Sequence, residues 1–189
     1  MTIFICMPAR DTCHADTAIC LAALARATPR NVPLAFASFH GSSISQLRNL
    51  HTEHALAQGA SGILWVDSDM RFPPDTATQL LAHNKPIVGA TYRRRGKPYQ
   101  PLGEFTGTEG LVPAKLLPGG MMLVRRAVYE RLRRPWYSEH YAADGEFSTD
   151  DTYFCRAAIA AGIKIWCDLD LTKEVSHLGS VAVPWQLPE

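Results

Sequence analysis

The sequence predicts an α/β fold in which a mostly parallel central sheet is flanked by helices. Short apolar runs alternate with amphipathic segments from the N-terminus onward, and glycine or proline separates them. A βαβαβ order of this kind is typical of parallel sheets. Ligand sites in such sheets lie at the carboxyl ends of the strands, so the residues that follow each strand are the first candidates for function.

The first half of the chain contains four predicted strands, each a compact apolar run. They cover residues 3–7, 32–39, 62–66 and 86–92. Three predicted helices separate them, over residues 16–27, 44–58 and 73–83. Asp16 is the expected N-cap of the first helix, Gly59 ends the second, and Pro73 opens the third.

The second half of the chain is less regular. Residues 93–115 are rich in glycine, proline and charge and predict a long loop or an irregular hairpin. The polar, aromatic segment 137–148 contains a glycine and predicts a lid that orders over a bound ligand. The remaining predicted elements are a glycine-led strand over 119–124, helices over 125–132 and 150–161, and strands over 163–168 and 171–176.

Composition predicts a single domain over residues 1–189 and excludes several functional classes. Hydrophobic residues make up 47% of the chain, which excludes disorder of the whole. Lysine and arginine (19) nearly balance aspartate and glutamate (18), so bulk electrostatic binding of nucleic acid or anionic membrane is not expected. No apolar run approaches the roughly 20 residues of a transmembrane segment. The five cysteines form no CxxC pair, and we expect a cytoplasmic protein with reduced cysteines.

The sharpest motif is Asp67-Ser68-Asp69, which directly follows the apolar strand 62–66. Two carboxylates at this position suit a hard cation, Mg²⁺ or Mn²⁺, that also binds the phosphates of a substrate. The alternative is a turn that caps the next helix. His177 ends a late strand and is either a third metal ligand or a structural histidine. Asp67, Asp69 and His177 therefore form the candidate metal site.

A second acidic pair, Asp150 and Asp151, opens a predicted helix. Acidic residues stabilise a helix N-terminus in any protein, but a carboxylate at a cleft can also take a proton from an acceptor hydroxyl. Cys155 and Ala158 continue a small apolar face from Asp151, and consecutive helical residues point about 100° apart. We therefore expect Asp151 near the core at the sheet edge, as the base, and Asp150 toward solvent or a neighbouring loop.

Two other patterns have both a functional and a structural interpretation. Gly119 and Gly120 permit the close approach of a bulky substrate, or a bend at the entrance of a strand. The basic cluster Arg93-Arg94-Arg95, with Lys97, faces phosphates or an anionic acceptor, or else lies solvated in a loop.

A pair of histidines on the second predicted helix is interpreted as unrelated to metal binding. His51 and His54 flank Thr52 and Glu53, and the HExxH spacing of metalloproteases is absent. We therefore expect both histidines on the surface.

Taken in order, these motifs resemble those of GT-A glycosyltransferases, nearest to family 2 and related bacterial and phage enzymes. Residues 63–70 resemble the strand with its DxD motif, and residues 118–126 resemble the glycine-led strand on the acceptor side. Residues 149–156 resemble the ED-x-x-F-C-x-R segment that carries the catalytic base. Residues 162–168, with 177–179, resemble the closing strands and the histidine on the metal side. The resemblance covers the chain from about residue 61 to residue 179.

The resemblance implies a single-domain, Rossmann-like GT-A fold and a hexosyltransferase-like enzyme. Residues 1–92 would form the nucleotide-sugar-binding half, and residues 93–189 the acceptor and catalytic half. The donor would be a UDP- or GDP-sugar, used with Mn²⁺ or Mg²⁺. The acceptor would be a glycan, a small molecule or a modified nucleic acid. The sequence leaves the oligomeric state open.

The resemblance also assigns roles to individual residues. Asp67 and Asp69 would contact the donor ribose and the metal, Asp69 being the firmer ligand, and His177 would complete the metal site. Asp151 would be the general base of an inverting reaction, with Asp150 in the place of the usual glutamate. These five residues would form the reacting centre, and a retaining outcome stays open.

The remaining roles concern nucleotide and acceptor. Pro8 and Arg10 would lie at the nucleotide base and phosphates. Family 2 members carry an aspartate after the second strand, which this chain lacks, and Arg48 would act at the nucleotide instead. The acceptor side would include Gly119, Gly120 and Arg93.

Two other functional classes compete with this interpretation. A nucleotidyltransferase would also use paired aspartates and a metal, but it would carry a glycine-rich, basic first loop. Residues 8–11 contain one basic residue and no glycine, which disfavours that class. The other class is a non-catalytic module that binds a nucleotide-sugar, and slow hydrolysis of the donor would distinguish an enzyme from it.

Overall fold

The computed structural model describes residues 1–94, 100–141, 145 and 147–179. Within these residues, eight strands form one sheet with helices packed against both faces. The strands are β1 (Ile3–Ala9), β2 (Leu34–His40), β3 (Gly62–Val66), β4 (Met70–Arg71), β5 (Ile87–Gly89), β6 (Glu104–Phe105), β7 (Leu111–Leu116), β8 (Met121–Arg125), β9 (His140–Tyr141), β10 (Phe147–Ser148), β11 (Ile165–Asp168) and β12 (Ser176–His177). The helices are α1 (Ala15–Ala27), α2 (Ile44–Ala57), α3 (Thr76–Ala82), α4 (Arg126–Arg131), α5 (Asp150–Ala160) and α6 (Leu169–Thr172).

The large sheet is mixed, with the strand order β2-β1-β3-β8-β5-β11-β7-β6. β1 pairs parallel with β2 and β3, and β5 pairs parallel with β11. β8 lies between β3 and β5 and runs antiparallel to both, and β7 runs antiparallel to β11. The α/β class is confirmed, but the sheet is less parallel than expected, because β7 and β8 run opposite to their neighbours. β8 takes its central place because its first four residues are buried, as a strand covered on both faces requires.

Side chains that alternate along each strand fill two cores, one on each face of the sheet. In β1, Phe4 and Cys6 join one core, whereas Ile3 and Ile5 join the other. The first core takes most of its helical residues from α2, α4 and α5, and they include Ala55, Val128, Phe154 and Ala158. The second takes them from α1, α3 and α6, and they include Leu24, Leu80 and Leu171. In the described part of the chain, no helix is long and apolar enough to cross a membrane.

The start of α1 differs from the sequence prediction. The N-cap is His14, whose Nδ1 accepts the backbone N–H of Asp16 at 3.3 Å. Asp16 is therefore not the cap. It lies in the first turn, where its carboxylate still favours the positive end of the helix.

The predicted strand over 171–176 is wrong. Residues Leu169–Thr172 form α6 instead, because Asp168 Oδ1 accepts the backbone N–H groups of Asp170 and Leu171 at 3.0 and 2.9 Å. This capping begins a helix where the apolar pattern alone suggested a strand. The extended segment is reduced to β12, which pairs antiparallel with β4 and places His177 opposite Met70.

The two irregular segments are described in part. Residues 93–115 contain the antiparallel pair β6 and β7, as the predicted irregular hairpin requires, whereas 95–99, with Arg95 and Lys97, lie outside the described residues. In the predicted lid, β9 pairs with β10, and residues 142–144 and 146 lie outside the described residues. Tyr137 is 1% exposed, so it belongs to the core and not to a lid.

His51 is buried, which makes its interpretation as a surface residue wrong. Its Nε2 accepts the backbone N–H of Phe39 at 3.1 Å, and its Nδ1 lies 2.8 Å from the carbonyl oxygen of Leu47. These contacts fit a neutral ring that carries its proton on Nδ1. The i, i+4 spacing of Leu47, His51 and Ala55, all buried, is the signal that identifies this face from sequence.

Burial of neutral His51 predicts a loss of stability in mild acid. Burial lowers the pKa of His51 to about 4, below the roughly 6.5 of an unfolded chain. The unfolded state therefore binds the extra proton first, and the free energy of unfolding falls as the pH drops from about 6.5 toward 4. In urea unfolding at fixed pH values, His51→Gln should show a shallower decline than wild type. Equal slopes for wild type and His51→Gln would contradict the prediction.

Candidate functional site

A cleft of about 690 Å³ opens where β1 and β3 end. We call it the carboxylate cleft, and it is lined by Pro8, Arg10, Asp11, Thr12, Ile44, Asp67, Ser68, Asp69 and His177. Five residues singled out in the sequence are among them, from three separate segments of the chain. Sequence reasoning missed Asp11, Thr12 and Ile44, although the first two directly follow the end of β1, where a ligand site was expected.

Backbone hydrogen bonds fix the Asp67-Ser68-Asp69 turn at the mouth of this cleft. The N–H of Asp67 donates to the carbonyl of Gly120 at 3.2 Å, and the carbonyl of Asp69 accepts the N–H of Leu178 at 2.7 Å. The second of these bonds brings His177 to the cleft, with Nε2 at 3.4 Å from Asp69 Oδ2. Asp69 and His177, far apart in sequence, are therefore neighbours as predicted.

The three predicted metal ligands do not form a closed group. Among the described residues, no cluster of three His, Cys, Asp or Glu side chains is arranged to hold a metal ion. Asp69 and His177 offer one oxygen and one nitrogen on one side of the cleft, a donor pair that suits Mn²⁺-like ions. Asp67 Oδ1 is instead engaged by Arg48 at 2.8 Å. Metal binding stays a prediction, and Asp69 with His177 are the residues that fit it.

Arg48 lies beneath the site and not on the cleft. It is 2% exposed, and its Nη2 donates to Asp67 Oδ1 at 2.8 Å while its Nε donates to Asp150 Oδ2 at 2.6 Å. Its Nη1 donates to the carbonyl of Gly119 at 3.2 Å. The guanidinium also stacks over the ring of Trp65, 5.0 Å from its centroid. The expected role of Arg48 at the nucleotide has no support in this position, since the side chain is enclosed by protein groups.

The charges of Arg48 and Asp67 balance each other in a site of low solvent access. Burial disfavours the charged form of Arg48, but Asp67 and Asp150 outweigh it and hold the pKa of Arg48 above its usual value. Burial raises the pKa of Asp67, and Arg48 opposes that rise. The side chain of Asp67 nevertheless keeps 29% of its surface accessible, so a ligand in the carboxylate cleft can reach it.

One of the two aspartates at the start of α5 is oriented differently from the expectation. Asp150 is the buried one, at 8% exposure, and pairs with Arg48. Asp151 is half-buried; its Oδ2 accepts the N–H of Gly119 at 3.2 Å, and its Oδ1 accepts the N–H of Thr152 at 2.8 Å and the hydroxyl of Thr149. The prediction that Asp150 points to solvent or a neighbouring loop is wrong: it points to Arg48 on α2, because that buried cation requires a carboxylate there.

The glycines before β8 are required by protein side chains. A Cβ on Gly119 would lie 2.6 Å from Arg48 Nη2, and a Cβ on Gly120 would lie 2.8 Å from Asp67 Oδ2 and overlap the hydroxyl of Tyr92. That hydroxyl accepts the N–H of Gly120 at 3.0 Å. The close approach predicted for a bulky substrate is therefore made by Arg48, Asp67 and Tyr92. Sequence reasoning missed Tyr92, which is buried at the end of the segment after β5.

A second cleft, of about 340 Å³, is lined in part by the residues that precede these glycines. We call it the Asp151 cleft, and it is lined by Arg94, Leu102, Gly103, Leu116, Leu117, Pro118, Thr149, Asp151 and Thr152. Arg94 of the predicted basic cluster therefore lies at Asp151. Arg93 does not line either cleft; its carbonyl lies 3.4 Å from His177 Nδ1.

Comparison with protein-family models finds no match, and comparison with curated proteins also finds none. Among solved structures, the chain is similar to A197 from STIV, with a TM-score of 0.67 and 12% identity over 97% of this chain and 90% of that one. A likeness at this identity shows a shared α/β fold. Mannose-1-phosphate geranyltransferase from Thermus thermophilus aligns with a TM-score of 0.33 and 15% identity, over 92% of this chain and 56% of that one. A TM-score this low does not establish a common fold.

Proposed function

We propose that the protein is a GT-A-type glycosyltransferase that transfers a sugar from a nucleotide-diphosphate sugar to an acceptor hydroxyl, with inversion and with Asp151 as the general base. The observation that carries the proposal is the meeting of four segments that resemble the family motifs in sequence order. The turn after β3, the glycines before β8, the start of α5 and the segment around His177 meet at one edge of the sheet, through the contacts of Asp67, Gly119, Asp150 and Asp69 given above.

The two clefts divide the proposed reaction between donor and acceptor. The carboxylate cleft, at about 690 Å³, has room for a nucleotide-sugar and carries the cationic Arg10 for its phosphates. A divalent cation held by Asp69 and His177 would supply positive charge against the leaving diphosphate. The Asp151 cleft would take the acceptor, with Arg94 at its rim.

In the proposed reaction, Asp151 receives the proton of the acceptor hydroxyl. The acceptor oxygen forms the bond to the anomeric carbon, while the bond from that carbon to the diphosphate oxygen breaks and its electron pair leaves with the diphosphate. Three donors orient the carboxylate: the backbone N–H groups of Gly119 and Thr152 and the hydroxyl of Thr149. Asp150 is paired with Arg48, so Asp151 is the member of the pair that faces a cleft.

Donor binding and donor hydrolysis test the proposal together. A nucleotide-sugar at 100 times its dissociation constant stabilises by about 2.7 kcal/mol, which raises the melting temperature of a chain of this length by roughly 5–10 °C. We expect such a shift for a UDP- or GDP-sugar in a thermal-shift screen, larger with Mn²⁺ than without it, and slow release of nucleoside diphosphate. Asp69→Asn is the matched variant, and it should lose the Mn²⁺-dependent part of the shift.

Each other result of this screen favours a different function. A shift without release of nucleoside diphosphate, with acceptors supplied, would favour a non-catalytic binding module. A shift with nucleoside triphosphates and release of pyrophosphate would favour a nucleotidyltransferase. No shift with any nucleotide or nucleotide-sugar would contradict the proposal.

A further inference from the structure

We infer that Arg48 is a positioning residue that sets the orientation of Asp151 through the backbone of Gly119. The expected effect of Arg48 on kcat rests on the proposed function, whereas its effect on the orientation of Asp151 does not. Arg48 touches neither cleft. It acts through three groups at once, namely Asp67 of the donor side, Asp150 of the acidic pair and the carbonyl of Gly119.

The connection from Arg48 to Asp151 is short and continuous. Arg48 Nη1 donates to the carbonyl of Gly119 at 3.2 Å, and the N–H of the same glycine donates to Asp151 Oδ2 at 3.2 Å. Gly119 therefore has both of its backbone polar groups in this chain of contacts. A displacement of the guanidinium moves the Gly119 carbonyl and, with it, the N–H that orients the carboxylate of Asp151.

Shape as well as charge fixes the guanidinium. It lies against the rings of Trp65 and Tyr137, at 5.0 and 5.9 Å from their centroids, and Asp150 and Asp67 hold its two ends. Gly119 leaves the space that the guanidinium needs, since a Cβ there would lie 2.6 Å from Nη2 and 2.8 Å from Cζ. The planar fork of arginine satisfies all of these partners, whereas the single ammonium group of a lysine cannot.

A role confined to stability would not require this arrangement. An ion pair between Arg48 and Asp150 alone would neutralise both buried charges. The additional hydrogen bond from Arg48 to the carbonyl of Gly119 connects the ion pair to Asp151, which lines the Asp151 cleft. The absence of a Cβ at Gly119 leaves room for this contact. Misplacement of a reacting group by about 1 Å can lower a rate by about 10²-fold, so the consequence is expected in kcat.

The test compares Arg48→Lys and Gly119→Ala with a control at another buried carboxylate. Asp168 is 4% exposed, pairs with His83 at 2.7 Å and lines neither cleft, so Asp168→Asn reports a purely structural loss. Two readouts are taken on the full chain: the NMR resonances of the Gly119 amide and the Asp151 side-chain carboxyl carbon, and the steady-state constants with a nucleotide-sugar donor.

We expect Arg48→Lys to shift both resonances, and Gly119→Ala, which replaces the glycine itself, to shift that of the Asp151 carboxyl carbon. Both variants should lower kcat by about 10²-fold with the donor KM near wild type. Asp168→Asn should shift neither resonance. The double variant Arg48→Lys/Gly119→Ala should lose less than the product of the single losses, because both changes disturb the same contact.

Two unchanged resonances in Arg48→Lys together with an unchanged Asp151 carboxyl resonance in Gly119→Ala, or kcat losses no larger than that of Asp168→Asn, would overturn the inference. If the wild-type protein turns over no donor, the proposed function fails, and the resonances alone decide whether Arg48 positions Asp151. The φ angle of Gly119 lies outside the left-handed region, so an alanine at this position does not strain the backbone. Gly119→Ala therefore changes only the space beside Arg48, and it remains informative where Arg48→Lys folds poorly.

Discussion

Asp151→Asn is expected to lower turnover by about 10²–10⁴-fold, the usual contribution of a positioned general base. The amide keeps the size of the side chain and can still accept the N–H of Gly119, but it cannot take a proton. Because Asp151 lines the Asp151 cleft and not the carboxylate cleft, donor binding should change little. Steady-state kinetics should therefore show a lower kcat with an unchanged donor KM, which is the pattern for a group that acts in the transition state.

Two other aspartates serve as controls for this variant. Asp16→Asn changes an exposed carboxylate in the first turn of α1 and should leave kcat at the wild-type value. Asp150→Asn removes a buried partner of Arg48; it should lower the stability of the protein and cost much less turnover than Asp151→Asn. A larger loss of turnover in Asp150→Asn, with the Asp151 carboxyl resonance unchanged, would make Asp150 the base. Near wild-type turnover in both variants would contradict a base at this position and favour a retaining reaction.

The parts of the fold that could be predicted from sequence are those with strong local signals. β3 has its predicted bounds, because an uninterrupted apolar run reports a strand buried on both faces. The carboxylates of Asp67 and Asp69 lie at the predicted end of that strand. The pairing of strands that are distant in sequence could not be predicted, because no local pattern places β8 between β3 and β5.

Local signals also predicted part of the site, whereas contacts between distant residues could not be predicted. The residues that follow strands, such as Arg10 and Asp69, could be identified because their position on the chain decides where they lie. The orientation of Asp150 could not, since it depends on Arg48, which is 102 residues away in the sequence. Helical geometry alone suggested the opposite orientation, and one buried cation reversed it. Sequence patterns thus located the edge of the sheet at which the residues meet, but not the ion pairs formed there.

Arg48→Met should destabilise the protein by about 3–5 kcal/mol, the usual cost of removing one partner from a buried ion pair. Methionine keeps an unbranched side chain of similar length but leaves the carboxylate of Asp150, at 12% side-chain exposure, without its cation. Asp67 and the carbonyl of Gly119 lose a donor as well. For a chain of this length, the loss corresponds to a fall in melting temperature of roughly 6–20 °C, measurable by calorimetry or urea unfolding.

The double variant Arg48→Met/Asp150→Asn separates the two causes of this loss. If the unpaired carboxylate of Asp150 is the main cost, replacing it by a neutral amide should recover part of the stability that Arg48→Met loses, because a buried neutral group needs no counter-ion. Lys115→Met is the matched control: its pair with Glu104 is 71% and 54% exposed, and ion pairs as exposed as this one contribute little to stability, because water and salt screen them. A loss in Arg48→Met as small as that of Lys115→Met would mean that Asp67 and Asp150 find other partners or water, and that the buried arginine does not hold this part of the fold together.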